Sequence, residues 1–433
     1  MLNLSQPSRH PVELAPSLRF DFMNASSFPC LVTTRAGAIG YFDAAGVFTL
    51  SGNNESPIDH DPVTLARKGL LVAPSRTNGI RNSRLEGAVA GTPGTFPTNA
   101  IASSMGTVAA NIVGAGTVNG MPYVEVRYVG TTNGTGAYLY IPEPTNVIVS
   151  ANGQTWTFSV YMAIVAGSLA NFTSFNPHLL KYPGGSGFGS APNLMGTLDG
   201  TLRRFAGVTG TISDGSNTHV QPRVSCSWSN GAAIDVTIRY AGFQCEQGAD
   251  ASPLILAAPG SPAATTRPAG AVKLAGAGWF NPAEGTLALT ARSAGAGGAG
   301  IDARLGGFAN AASPDVNNQV VAYLSAVTPN NLGLAVQVAG ATTAQPNTTS
   351  GTAVTSRFRC AGAFKANDFG FVVNGVAASP DTSGALPGGM DGLVLGSDPG
   401  NPGASSFNGW YEVAEIHPRR LPAAELLVAG AAP

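Results

Sequence analysis

Residues 155–162 read Thr155-Trp156-Thr157-Phe158-Ser159-Val160-Tyr161-Met162, and this stretch decides the fold. Trp156, Phe158 and Val160 fall on one face of an extended chain, and Thr155, Thr157, Ser159 and Tyr161 on the other. A two-residue period of this kind marks a strand in an antiparallel sandwich sheet, with one side on a core and one turned away from it. Working outward, residues 122–129 (PYVEVRYV), 136–141 (GAYLYI), 203–205 (RRF) and 233–241 (AIDVTIRYA) supply further strand candidates. Long turn-rich segments separate them, which is the spacing of a jelly roll.

Composition supports the same class. Charged residues are 11% of 433, against a usual quarter, while 56 glycines and 31 prolines punctuate a chain that is 44% hydrophobic. Many turn formers with β-branched residues between them give short strands and long loops, an all-β chain of more than one domain. With 23 basic and 24 acidic residues and no basic run, the chain lacks the cationic stripe that nucleic acid requires. No apolar run reaches membrane-spanning length, and residues 1–20 have no continuous apolar core, so neither membrane insertion nor a secretory leader is expected.

Three units are expected. Residues 1–87 form an irregular first unit, with a strand at 18–22 (LRFDF), a hairpin over 41–48 turning at Ala44-Ala45-Gly46, and Pro57, Pro62 and Pro74 as breakers. So little regular structure predicts dependence on neighbours for burial. Residues 88–268 carry the jelly-roll strands. A Pro/Ala/Thr linker at 257–270 leads to residues 271–433, which contain an Asn374-Gly375 hairpin, a short buried strand at 392–396 and one short helix over 418–427. Residues 293–300 are Gly/Ala-rich and read as a loop.

Residues 33–83 contain "TRA…YFDAAGV", "PIDHDPVT", "RKGLLV" and "RTN…NS". This pattern resembles a module that recurs in tail fibres, tail spikes and head fibres of tailed bacteriophages, ahead of carbohydrate-binding β-domains. The phrases at 88–99, 151–169, 230–255 and 264–270 resemble the jelly roll of the same proteins, with Cys245 a departure where an apolar residue is more usual. "FNPAEGTL", "VNGV", "LVLG", "NGWYEVAEI" and "RRLPAAEL" resemble concanavalin-A-like, laminin-G-like sandwiches. The resemblance implies a homo-oligomeric appendage on the virion surface, a trimer by default or a pentamer on a capsid vertex. It would be assembled in the host bacterial cytoplasm, joined to other virion proteins through residues 1–87, and would contact a host cell-surface polysaccharide.

The search for chemistry returns little. No G-x-S-x-G elbow is present, and His10, His60, His178, His219 and His417 are scattered, with no zinc-ligand spacing. Glycoside cleavage needs two carboxylates across a sugar bond. The nearest pair is Glu412 and Glu415, whose spacing of three puts them on opposite faces of a regular strand, Glu412 in solvent and Glu415 capping or pairing near the helix. Asp59, His60 and Asp61 read as turn chemistry. No enzyme and no cofactor is expected. A structural Ca²⁺ would draw on Asp214, Asp235 or Asp302, which no motif singles out. Cys226 and Cys245 lie in neighbouring candidate strands and would face each other if paired; Cys30, Cys226, Cys245 and Cys360 are expected as buried reduced thiols.

Sugar binding uses aromatic faces against a pyranose ring, with polar groups on its hydroxyls. Trp228, expected at a loop tip in CSWSNG, and Tyr182, in HLLKYP, are the aromatic candidates, with His178 and Asp199 as polar partners. Trp156 and Trp410 are assigned to cores. The rival readings are a capsid-decoration, vertex or baseplate part that binds no sugar, and a polysaccharide depolymerase.

Overall fold

The computed structural model describes residues 16–144, 147–189, 192–276, 278–295, 302–325, 327–349, 353–403 and 405–433. Residues 1–15, and residues 296–300 of the expected Gly/Ala-rich loop, lie outside the described residues. The chain is all-β, with one short helix at Ala423–Ala429. That helix starts five residues later than expected, because Pro422 is itself extended (φ −54°, ψ 157°) and disfavours helical geometry at Leu421 before it.

The first sandwich pairs two five-stranded antiparallel sheets. One runs Arg203–Thr211, Thr155–Gly167, Ala233–Gln247, Met121–Thr131, Ala109–Val118; the other runs Ser186–Gly187, Phe172–Tyr182, His219–Trp228, Gly136–Ile141, Ile101–Ser103. Trp156, Phe158, Val160 and Met162 enter the core, where Phe158, Phe175, Tyr140, Tyr240 and Phe243 are fully enclosed. Tyr128 and Tyr240 solve the cost of buried hydroxyls by bonding to each other at 3.1 Å, and Tyr128 also donates to the Leu139 carbonyl.

The second sandwich has larger sheets. One runs Val376–Ala377, Gly370–Val373, Phe358–Lys365, Glu284–Ser293, Gly409–His417, Arg67–Val72, Ile58–His60; the other runs Val32–Thr34, Ala271–Ala275, Gly392–Leu395, Ala303–Ala309, Gln319–Leu324, Asn331–Val338, Ala341–Ala344. The Asn374-Gly375 hairpin, the buried 392–395 strand and the Gly40–Phe42/Phe48–Leu50 hairpin form as expected.

The segment expected to depend on neighbours for its burial finds them, over its described residues, within its own chain. Leu18–Asp21 and Arg67–Val72 lie end to end along the same edge of Gly409–His417, and Val32–Thr34 pairs with Ala271–Ala275. Phe20, Phe22, Leu70 and Val72 complete the second core. The physical reason is strand edge: without these residues Gly409–His417 would present an unpaired backbone ladder and an open apolar seam.

The same segment also closes on the first sandwich. Thr157, Ser159 and Tyr161, on the face of residues 155–162 turned away from the core, are buried rather than solvated. Phe42 and Phe48 pack on Tyr161 with Met121, Leu254 and Leu256, while Arg204 donates to Ser159 Oγ and the Ser252 carbonyl. The R-T-N…N-S pattern explains itself here. Buried Asn78 donates to the carbonyls of Phe243 and Ile255 and accepts from the N–H of Cys245 and Ile80; Ser83 Oγ accepts from Ala257 N–H.

Candidate functional site

Strand His219–Trp228 reads His-Val-Gln-Pro-Arg-Val-Ser-Cys-Ser-Trp, a strict alternation. Val220, Val224, Cys226 and Trp228 point into the first core. His219, Gln221, Arg223 and Ser225 therefore point out of the sheet's other face. Trp228 is 3% exposed and packs edge-on against Phe172 at 5.6 Å. The loop-tip expectation for Trp228 is corrected: its place in the alternation puts it inside, and it cannot meet a ligand.

On the neighbouring strand Phe172–Tyr182, Tyr182 sits opposite His219 and His178 opposite Arg223. The Tyr182 and His219 rings stack at 4.8 Å and 11°. On the other side, Tyr138 sits opposite Ser225, and the Arg223 guanidinium lies over its ring at 4.0 Å. Arg223 Nε donates to Gln221 Oε1 at 2.6 Å, Arg223 Nη2 donates to the Tyr182 hydroxyl, and Gln221 Nε2 donates to the Pro144 carbonyl at 2.7 Å. The outer face thus carries two half-buried tyrosine rings flanking a polar row. His219 (7% exposed), Gln221 (4%) and Arg223 (7%) are nearly as enclosed as core residues.

The electrostatics are simple. Burial, then the Arg223 charge, holds the His178 imidazole below its ordinary value, and burial alone does so for His219. Both are uncharged at neutral pH. Strand Ser186–Gly187 edges the row, and at Gly187 a Cβ would stand 2.2 Å from His178 Nε2, so the ring lies over bare backbone. Two of the four predicted residues, Tyr182 and His178, come together here; Asp199 does not. Its carboxylate bonds Arg203 and the Thr201 N–H, and its carbonyl accepts from Ile164 of the opposite sheet. His219, Gln221, Arg223 and Tyr138 escaped sequence reasoning; the alternation of residues 219–228 was the available signal.

The carboxylate pair changes its geometry. The register of Gly409–His417 on Glu284–Ser293 slips by one residue at Glu412, since Thr290 faces Val413 and Ala291 faces Tyr411. This β-bulge cancels the odd spacing: Tyr411 and Ala414 both enter the core, and Glu412 and Glu415 both leave it. Glu412 is 6% exposed, not solvated, and pairs with Arg357; Glu415 pairs with Arg359 and Arg19. Asp61 forms the expected turn through the N–H groups of Val63 and Thr64. Asp59 does more: it is buried, accepts from Phe42 N–H and Trp410 Nε1, and lies 3.8 Å from Lys68.

Asp214 is held by Lys181, Asp235 by Arg127, and Asp302 lies 3.6 Å from Arg304. Among the described residues no group of three metal-ligating side chains forms. Cys226, Cys245 and Cys360 are buried free thiols, and burial pushes the Cys226 thiol up to about 12; Cys30 is exposed, contrary to expectation. Between the sandwiches lie two crevices of about 430 and 880 Å³. Trp410 lines the smaller, but Lys68 sits 5.0 Å from its ring centre and its N–H is taken by Asp59. Trp156, at the larger, is committed to the core.

No family model matches this chain. No curated protein matches it either. Among solved structures, the carbohydrate-binding module CBM40 of Ruminococcus gnavus IT-sialidase, bound to α2,3-sialyllactose, aligns over 35% of this chain and 84% of the module, with 14% identity and a TM-score of 0.29. The NanB sialidase of Streptococcus pneumoniae aligns over 34% of this chain and 24% of its own, with 13% identity and a TM-score of 0.28. The binding domain of botulinum neurotoxin DC, in complex with rat synaptotagmin II, aligns over 37% and 39%, with 8% identity and a TM-score of 0.28. Likeness this slight leaves the assignment to the chain's own geometry.

Proposed function

We propose that this chain is a glycan-binding surface protein of a tailed bacteriophage, holding saccharide on the outer face of the Phe172–Tyr182/His219–Trp228 sheet. One observation carries the binding: two partly exposed tyrosine rings flank a nearly enclosed row of hydrogen-bonding side chains on the face of the sheet turned away from the first core. Rings offer apolar faces to a pyranose, and the row beneath offers fixed donors and acceptors to its hydroxyls. The virion setting rests on the resemblance of residues 33–83 and of the two sandwiches to phage appendage proteins. Homo-oligomers of such a chain multiply shallow sites into firm attachment, since linked sites raise effective concentration.

The test is passage of the host's extracted surface polysaccharide over the immobilised protein, following retention and chain length together. Retention without shortening is expected, and Tyr182→Ala is expected to weaken it about tenfold through the lost ring. Shortening would mean that a carboxylate pair is at work, against the arginine pairing of Glu412 and Glu415. No retention at all would favour a decoration, vertex or baseplate part.

A further inference from the structure

The Arg223 guanidinium is the least expected group on the outer face. It is a buried cation, and a buried cation ordinarily requires a buried anion. Among the described residues no carboxylate lies within ion-pairing distance of it. Its neighbours are the Tyr138 ring, the Gln221 amide, the Tyr182 hydroxyl and the His178 imidazole, none of them a carboxylate. The cation–π contact recovers part of the lost hydration but supplies no opposite charge.

The fork is oriented as well as unpaired. Nε is taken by Gln221 and one Nη2 hydrogen by Tyr182, while Nη1 has no hydrogen-bond partner among the described residues. Two further groups of the row, His219 Nε2 and Ser225 Oγ, are enclosed without partners. Native structures seldom leave buried polar atoms in this state unless water or a ligand completes them. A guanidinium held over an aromatic ring, with its free N–H groups in the plane of the fork, matches a two-oxygen acceptor.

We propose that Arg223 is the receptor for a carboxylate, and that the saccharide this face holds is an acidic one, built with uronic or nonulosonic acid units. This rests on the glycan-binding reading above and narrows it. Tyr138 and Tyr182 set the guanidinium plane, Tyr182 takes the sugar ring beside it, and the free Nη1 hydrogens meet the acid group.

The probes are purified acidic polysaccharides, polygalacturonate and polysialate among them, each beside its carboxyl-reduced, neutral counterpart, with neutral dextran and mannan included. Binding to the intact chain is followed by retention and calorimetry. At least one acidic polymer is expected to bind, its reduced form to bind about tenfold more weakly or worse, and added salt to weaken the acidic form only. Arg223→Gln should erase the difference between the two forms, whereas Tyr182→Ala, which removes both the sugar-facing ring and the hydroxyl that holds Arg223 Nη2, should weaken both forms. Circular dichroism and melting temperature establish that each variant is folded, and the ligand-side comparison stands even if Arg223→Gln fails to fold. Equal binding of acidic and reduced forms overturns the acidic assignment and leaves the glycan reading intact. Binding of the neutral polymers alone does the same, and no binding by any member of the panel overturns both.

Discussion

A single imidazole pair carries the pH behaviour of the outer face. His178 and His219 are both held below their ordinary value of 6.5 by burial. A basic group with a depressed folded-state value stabilises the fold fully above its unfolded value, and that contribution is lost as pH falls through the lower, folded one. The melting temperature should therefore drop between pH 7 and pH 5, and less steeply in a His178→Asn, His219→Gln double variant. Buried Asp59, whose carboxyl is pushed up by burial, works in the opposite sense and is common to both proteins, so the difference between them isolates the imidazoles. Equal slopes would mean that the two rings are hydrated in solution. Trp228 gives the complementary case. It belongs to the core against Phe172, so Trp228→Ala should lower stability by roughly 3–5 kcal/mol in chemical denaturation. Asn78 is the polar counterpart: Asn78→Ala strands the Cys245 and Ile80 N–H groups and should lower stability by roughly 2–4 kcal/mol.

At the scale of the element, strand Gly409–His417 shows where periodicity informs and where it stops. Trp410, Glu412 and Glu415 are read from the sequence as lying on a strand, and they do; Trp156, Phe158 and Val160 on residues 155–162 fall on the expected face because their two-residue period is unbroken. A bulge is not written in the period. One extra residue at Glu412 reverses the facing of everything before it, and only the partner strand's register reveals this. Strand His219–Trp228 failed for another reason. Its alternation is strict, but the inward positions are a proline, a cysteine and a tryptophan beside two valines, and Trp228 at its end reads as part of the following Ser-Asn-Gly turn. The bulge also fixes an ion-pair network whose breakage is measurable. Glu415 accepts from Arg359, which is itself bonded to Thr290 and to the carbonyl of Ala429 at the end of the helix. Glu415→Ala leaves the Arg359 guanidinium without its anion, while Arg19 keeps Asp21, and should cost roughly 3 kcal/mol, with loosened proteolytic protection of the last ten residues as the local sign.

For the whole molecule, sequence order and spatial order part company. Local patterns divide the chain at residues 87 and 271, yet pairing between residues hundreds apart, such as Leu18 with Ile416 and Leu70 with Tyr411, is invisible to a short window. The consequence is unequal dependence of the two sandwiches on the chain's beginning. The second loses Phe20, Phe22, Leu70 and Val72 from its core and four strands from its sheets if residues 1–74 are removed. The first keeps both of its sheets and loses the outer packing of Phe42 and Phe48 on Tyr161 and the Phe48 N–H bond to the Asn119 carbonyl. Burying each large side chain contributes about 1.5–3 kcal/mol, so four lost from one core rival the whole stability of an ordinary domain. A chain beginning at residue 75 should retain a folded first sandwich, protected from protease over residues 101–247, while residues 271–433 are digested. Adding back residues 16–74 as a separate peptide should restore protection in trans, because the missing strands pair along edges that remain in register. Protection of residues 271–433 without the peptide would show that the second sandwich closes by itself, and that the N-terminal strands are an addition to it rather than part of its core.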